Sequence, residues 1–200
     1  LTNNGGESSK GNDEGMTIIN TGPNDWKKWS DLMKAITQNF IDQFGIEEVR
    51  SWFFEVWNEP DGWPNDQLEI FYKMYDVFVD AVKSVDSELR VGGPACYHEY
   101  FLKSFLNHVT NGVNYVTGKK GTQIDFISYH IYGLSGKWLN KAPHIQPQVQ
   151  RFTLSVLWIQ RLLKLFPSLK GTAFHINEWG LSSNYFRTVK DYPDLIYRNP

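Results

Sequence analysis

The chain has 200 residues, 41% of them hydrophobic and 16% aromatic, which is enough apolar surface for one folded domain with a core. Its formal net charge is −2, with 20 basic and 22 acidic residues dispersed along the chain. This balance argues against nucleic acid or an anionic membrane as a partner. Cys96 is the single cysteine, so an intramolecular disulfide is excluded and a buried thiol is expected.

Neither a membrane span nor a targeting segment is predicted. The sequence has no apolar run of 18 residues. The first residues also lack the charged start and apolar centre of a signal peptide. The compartment therefore stays open.

The amino-terminal part is predicted to be a loop followed by a helix. Residues 1–25 are rich in Gly, Asn, Ser and Asp, the composition of a long loop in which only Met16 to Ile19 is expected to be ordered. Apolar residues then recur at helical spacing from Trp26 to Phe44. Asn24 or Asp25 is the expected cap of this helix, and Gly45 is expected to end it.

A buried strand is predicted from Trp52 to Trp57, because this stretch is aromatic and β-branched and Pro60 follows it closely. The two-residue period of a strand places Glu55, Trp57 and Glu59 on one face. If that face points into a barrel, Glu59 lies at the rim and Glu55 lies beneath it. A lone buried carboxylate is costly, so an arginine or histidine is expected to pair with Glu55.

The middle of the chain alternates between helices and strands. A helix is predicted from Leu68 to Val82, and a short strand from Glu88 to Gly92 that the following Gly-Pro sequence ends. A third helix is expected near Tyr100 to Val109, followed by a strand from Ile124 to Tyr132.

A fourth helix is predicted from Val149 to Phe166, and a last strand from Thr172 to Asn177 with Glu178 at its end. Four helices thus alternate with four strands, which is typical of a parallel sheet with right-handed crossovers. An α/β barrel has eight strands. The predicted fold class is therefore α/β, a partial (β/α)8 TIM barrel with about four central strands and their helices.

Glu59 and Glu178 each follow a strand at its carboxyl end, and these ends form the rim on which an α/β barrel carries its chemistry. If Ala173 to Glu178 is one straight strand, Phe174, Ile176 and Glu178 share a face that would point inward. Two carboxyl groups at one rim suit the hydrolysis of a glycoside, which needs a proton for the leaving oxygen and stabilisation of an oxocarbenium-like transition state.

The sequence Trp57-Asn-Glu-Pro60 resembles the acid/base motif of retaining barrel glycosidases, most closely those of glycoside hydrolase family 39, which contains β-xylosidases and α-L-iduronidase. Four more stretches resemble that family in the same order: Arg90–Pro94, Val116–Gly121, Ile124–His130 and His175–Trp179. The resemblance covers roughly residues 26–179.

The resemblance also implies a domain organisation. Residues 1–25 would be the loop after the third barrel strand, so the first three strands lie outside this sequence. We therefore expect one incomplete TIM-barrel catalytic domain over residues 1–200, with a loop over 1–25, the barrel portion over 26–179 and a loop or short helix over 180–200. The remaining strands would come from the rest of the parent protein or from another chain.

The resemblance implies residue roles as well. Glu59 would be the general acid and then the general base of a double displacement, and Glu178 the nucleophile. Asn58 would bond the sugar hydroxyl next to the anomeric carbon. His130 and Tyr132 would contact the sugar or orient the nucleophile.

Loop tryptophans are further candidates for substrate binding. Trp63, Trp138 and Trp179 follow strands and could stack on sugar faces, although single loop tryptophans are as often packing residues. No cofactor is predicted, since the chain lacks a dinucleotide or phosphate-binding glycine motif. No metal site is predicted, because His98 and Glu99 lack a third ligand at metal spacing.

The expected substrate is a glycoside or oligosaccharide. By resemblance, α-L-iduronidase has a lysine two residues after the histidine that matches His130, where this chain has Tyr132. That difference favours a neutral pentoside such as a β-xyloside over a uronic acid, although the stretch at 116–121 is similar to iduronidase. A different class of function, a non-catalytic carbohydrate-binding or assembly subunit, is motivated by the sheet edges that half a barrel exposes.

Overall fold

The computed structural model describes residues 22–64, 67–133 and 149–180, together with the backbone of two short strands. These strands, β1 (Ser9–Lys10) and β2 (Thr17–Ile18), pair in antiparallel register. They lie in the segment predicted to be a loop. Strand β2 falls within Met16 to Ile19, the one stretch of this loop expected to be ordered. Strand β1 was not predicted, because a two-residue strand has no periodic pattern and depends on its partner.

Helix α1 (Trp26–Phe44) has the predicted bounds. The Asp25 side chain accepts a hydrogen bond from the backbone N–H of Lys28 at 3.0 Å and so caps the first turn. Gly45 ends the helix at φ 84°, a conformation that favours glycine. A second short helix, α2 (Ile46–Arg50), follows directly and was not predicted.

The centre of the structure is a four-stranded parallel sheet in the order β3-β4-β5-β6. Its strands are β3 (Phe53–Glu55), β4 (Arg90–Cys96), β5 (Phe126–Tyr132) and β6 (Ala173–Gly180). The crossovers contain α3 (Leu68–Val85), α4 (Glu99–Asn111) and α5 (Gln150–Leu163). Short 3-10 helices lie at Pro60–Gly62 and Pro167–Leu169. The α/β prediction with alternating parallel strands is confirmed.

The core lies between the sheet and its helices. All seven residues of β5 are buried, as expected for a central strand covered on both faces. Buried aromatic side chains of α3 and α4 dominate this layer: Phe71, Tyr75, Phe101 and Phe105. The thiol of Cys96 is buried in the same core, as predicted.

Strand β4 differs from its prediction because it continues through Gly93 and Pro94 to Cys96. Its register against β5 shifts by one residue between Gly93 and Cys96. Pro94 has no N–H to donate, and the N–H of Ala95 bonds the Ser128 hydroxyl at 2.8 Å instead of the ladder. A bulge therefore accommodates the sequence that was expected to end the strand.

Strand β6 also contains a bulge. Between Ile176 and Glu178 it has one residue more than the facing stretch of β5. Phe174 and Ile176 pack against the core on the helix side, whereas the His175 ring stacks within the barrel interior on Phe126. The expectation that Phe174, Ile176 and Glu178 share one face is therefore wrong. The extra residue moves Glu178 to the face opposite Ile176.

Among the described residues, no helix is both long and apolar enough to span a lipid bilayer.

Candidate active site

Glu59 lies in the turn after β3, at the carboxyl end of the sheet, as predicted. Its backbone is left-handed at φ 50° and ψ 55°, which is unfavourable for a residue with a side chain. Two hydrogen bonds hold this conformation: the N–H of Glu59 donates to the carbonyl of Ala95 at 2.9 Å, and its own carbonyl accepts from Gly62 at 3.0 Å. Backbone strain of this kind is concentrated at functional sites.

Asp61 fastens the same turn to the end of β4. One oxygen of its buried carboxylate accepts hydrogen bonds from the backbone N–H groups of Tyr97 at 2.9 Å and His98 at 2.6 Å. Burial raises the pKa of the Asp61 carboxyl to about 6, against the effect of these two bonds and with a smaller contribution from the charge of Glu59. No role was assigned to Asp61 from the sequence. An acidic residue directly after the motif was the available signal.

His130 and Tyr132 lie on β5 and face the two carboxylates. The Nδ1 atom of His130 is 2.9 Å from Glu59 Oε1 and 3.5 Å from Glu178 Oε2. The hydroxyl of Tyr132 donates a hydrogen bond to Glu178 Oε1. The His130 side chain is almost completely buried, and its ring lies against both carboxylates.

Glu59 and Glu178 lie close together in the cleft. One carboxylate oxygen of each residue and one ring nitrogen of His130 lie within 4.8 Å of one another. The two glutamate side chains are 34% and 39% exposed, so a ligand can reach both. Three ligand atoms at this spacing would also suit a divalent cation. The hydrogen bonds to His130 and Tyr132 account for the spacing without one.

The partners of Glu55 differ from those predicted. The Ser128 hydroxyl donates to Oε1 of Glu55, and the Asn177 amide donates to Oε2 at 2.8 Å. Burial raises the pKa of Glu55, while both hydrogen bonds and the nearby charge of His130 oppose the rise. Among the described residues, neither an arginine nor a histidine forms a hydrogen bond with Glu55. Two neutral donors, one on β5 and one on β6, satisfy the carboxylate.

Trp63 is a packing residue in this structure. It is 4% exposed, and its ring lies edge-on between Trp57 at 5.4 Å and Phe71 of α3 at 6.1 Å. No face of the Trp63 ring is open to a sugar. Trp57 packs against Trp63 and the core on the helix side of the sheet. The prediction that Trp57 shares a face with Glu55 and Glu59 is therefore wrong. The reason is that strand β3 ends at Glu55, so the two-residue period does not continue to Trp57.

The other predicted sugar contacts are placed differently. Trp179 is 67% exposed, but its ring meets Phe152 of α5 edge-on at 6.3 Å, on the helix side of the sheet. Asn58 is exposed directly beside Glu59. Trp138 lies outside the described residues.

A family model described as glycosyl hydrolases family 39 matches residues 17–195. The chain belongs to this family. The match spans the predicted motifs and both glutamates of the cleft, so the family resemblance inferred from the sequence is confirmed.

Curated members of two kinds align with this family 39 chain. The β-xylosidase of Geobacillus stearothermophilus is 40% identical over 129 residues, 62% of this chain. The α-L-iduronidase of Homo sapiens is 31% identical over 165 residues, 76% of this chain. In each alignment the chain spans only 23% of the length of the relative.

Solved structures of the family share the fold. A bacterial orthologue of human α-L-iduronidase superposes with a TM-score of 0.71 at 25% identity, covering 80% of this chain and 27% of that chain. A monomeric β-xylosidase from Caulobacter crescentus CB15 superposes with a TM-score of 0.61 at 30% identity, covering 80% and 32%. The interpretation of the four-stranded sheet as part of a TIM barrel is confirmed.

Proposed function

We propose that the protein is a retaining glycoside hydrolase that cleaves O-glycosidic bonds with Glu59 and Glu178. The observation that carries the proposal is the approach of one oxygen of each carboxylate to within 4.8 Å of the other. Retaining enzymes hold their two carboxyl groups about 5–5.5 Å apart, whereas inverting enzymes leave about 6.5–9.5 Å for a water molecule. The 4.8 Å limit applies to one oxygen of each residue and not to the centres of the two carboxyl groups, and this close approach supports retention over inversion.

The first step is attack by Glu178 on the anomeric carbon. The bond from this carbon to the leaving oxygen breaks as Glu59 donates its proton to that oxygen, and a covalent glycosyl-enzyme forms. The hydroxyl of Tyr132 and the ring of His130 both lie against the Glu178 carboxylate. These contacts hold the nucleophile still during the attack.

The second step reverses the roles. Glu59, now ionised, takes a proton from a water molecule whose oxygen attacks the anomeric carbon, and the Glu178 carboxylate leaves. The side chain of Glu59 must serve both steps from one position. Its left-handed backbone, tied to Ala95 and Gly62, supports that fixed position.

For the substrate we propose a neutral pentoside such as a β-xyloside. Tyr132 stands where the resemblance places a cationic lysine in α-L-iduronidase, and its hydroxyl is bonded to Glu178. Among the described residues, His130 is the only basic side chain that forms an ion pair with Glu59 or Glu178. The described part of the cleft therefore offers little charge for a substrate carboxylate.

An α-L-iduronidase-like hydrolase of uronic-acid glycosides is the second candidate. It is favoured by one observation: the iduronidase relatives align over a larger share of the chain than the β-xylosidases do. A non-catalytic carbohydrate-binding or assembly subunit is less well supported, because sugar binding alone does not require two carboxylates so close together. The proposed partner is a glycoside, and the balance of charge in the sequence argues against nucleic acid and anionic membranes.

The proposal is tested by following the full-length protein with an aryl β-xyloside and an aryl α-L-iduronide by proton NMR. Release of β-xylose as the first anomer supports retention and the proposed sugar. Release of α-xylose would show inversion and overturn the double displacement. Turnover of the iduronide alone would select the second candidate, and no turnover of any glycoside tested would favour the binding subunit.

A further inference from the structure

We infer that Glu55 and Asn177 are positioning residues whose hydrogen bond sets the direction of the nucleophile Glu178. This inference rests on the proposed function. Neither residue touches the reacting atoms. Asn177 directly precedes Glu178 in the chain, and its side chain is hydrogen-bonded to Glu55.

The first observation is the bulge in β6. Asn177 is the extra residue of this strand, and it immediately precedes Glu178. A bulge re-aims the side chains beside it, and here it moves Glu178 to the inner face of the sheet. The direction of the nucleophile therefore depends on how the bulged residue is held.

The second observation is the hydrogen bond that holds the bulged residue Asn177. The side-chain amide of Asn177 donates to Glu55 Oε2 at 2.8 Å, which joins β6 to β3, the two strands at opposite ends of the sheet order. Ser128 of β5 donates to the other oxygen of Glu55 and accepts the N–H of Ala95 from β4 at 2.8 Å. A continuous chain of hydrogen bonds thus crosses all four strands.

In this chain of hydrogen bonds, two oxygen atoms of the side chain at position 55 must each accept a hydrogen bond. A carboxylate accepts from the Ser128 hydroxyl and from the Asn177 amide at the same time, with its charge strengthening each bond. A glutamine would present an NH2 group to one of these two donors. Glutamate is therefore the side chain that holds the bulge and the β5 hydroxyl together.

The hydrogen bond between Asn177 and Glu55 is called the clamp below. Loss of the clamp should displace Glu178 relative to His130 and Tyr132. A misplacement of about 1 Å in a reacting group costs on the order of 10²-fold in rate. Both chemical steps use Glu178, so both should slow. The effect should appear for every leaving group, unlike the effect of losing an acid.

The test compares Asn177→Ala, Glu55→Gln and the double variant in the full-length protein. The matched controls are Asn111→Ala and Glu47→Gln, two separate substitutions at exposed positions. We expect kcat to fall about 10- to 100-fold for Asn177→Ala with both good and poor leaving groups, with a smaller change in KM. Because the two side chains share one bond, the double variant should lose no more than the worse single variant. The controls should keep the wild-type kcat.

Two results would overturn the inference. One is a wild-type kcat for Asn177→Ala accompanied only by a lower melting temperature, which would assign Asn177 to stability alone. The other is full additivity in the double variant. If the wild type hydrolyses no glycoside, the proposed function fails but the inference is still decided by a crystal structure of Asn177→Ala. In that structure, a Glu178 carboxylate that keeps its distance from Glu59 contradicts the clamp, and a displaced one supports it.

Discussion

Glu59 follows the first strand of the four-stranded sheet and Glu178 lies in the last, yet one carboxylate oxygen of each lies within 4.8 Å of the other. The curvature of the parallel sheet brings the ends of its outer strands towards one another. The ring of His130, from a strand between them, fills the space beneath. The roles proposed for the two glutamates can be separated by measurement.

Glu59→Gln and Glu178→Gln should respond differently to the leaving group. Without its acid, the Glu59 variant should lose about 10²- to 10⁴-fold in kcat/KM on an alkyl glycoside but much less on a dinitrophenyl glycoside, whose leaving group needs no proton. The Glu178 variant should be inactive on both. Steady-state kinetics over a series of aryl glycosides measures the difference, and equal losses across the series would sink this assignment.

Tyr132→Phe removes a hydrogen bond to the Glu178 carboxylate while keeping the aromatic ring. Without this bond Glu178 is free to leave its attacking position, so kcat should fall about 10- to 100-fold. The bond to a charged group also contributes roughly 1.5–3 kcal/mol to stability, so the melting temperature should fall by several degrees. Tyr100→Phe, on an exposed ring, is the control. An unchanged kcat in Tyr132→Phe would show that the tyrosine hydroxyl does not hold the nucleophile.

Asp61→Asn should change how stability depends on pH. Because burial raises the pKa of Asp61 to about 6 in the folded state, the folded protein binds this proton more tightly than the unfolded chain does. Stability is therefore lost as pH rises from about 4 to about 6, by up to about 3 kcal/mol for this group. Asparagine keeps an acceptor for Tyr97 and His98 but carries no charge.

The measurement is the free energy of unfolding in urea at pH 4 and pH 7 for Asp61→Asn and wild type. The variant should gain stability relative to wild type as the pH rises. Asp42→Asn, at an exposed position, should show no such trend. A difference that stays constant between the two pH values would contradict a buried carboxyl that titrates near pH 6.

Asp76→Ala should destabilise the fold without altering the active site. The fully buried carboxylate of Asp76 accepts from the backbone N–H of Tyr115 at 2.8 Å and the Thr122 hydroxyl at 2.5 Å, and lies 3.1 Å from His108. Leaving these groups unpaired should cost about 2–4 kcal/mol. The loop after α4 depends on them for its attachment to α3.

Thermal unfolding measures this loss, and Asp42→Ala should stay within about 0.5 kcal/mol of wild type. Titration of active sites with a slow covalent substrate then separates folding from chemistry. The turnover of each active molecule should be unchanged in Asp76→Ala. A lower turnover per active site would mean that the network reaches the catalytic cleft.

The sequence by itself determined the features that depend on neighbouring residues. The cap at Asp25 and the stop at Gly45 are local, so the bounds of α1 were predicted correctly. The alternation of helices with strands indicated the parallel sheet and placed Glu59 at its rim. The family followed from motifs that can be seen without a structure.

Only the tertiary structure decided the features that depend on pairing between distant strands. The bulge at Asn177 exists only in register with β5, and it moved Glu178 to the other face of its strand. The partners of Glu55 lie on two other strands, and the ring of Trp63 was buried by α3 rather than exposed to a sugar. Side-chain periodicity carries no information about register, because register is fixed by hydrogen bonds between strands and by the packing of helices on them.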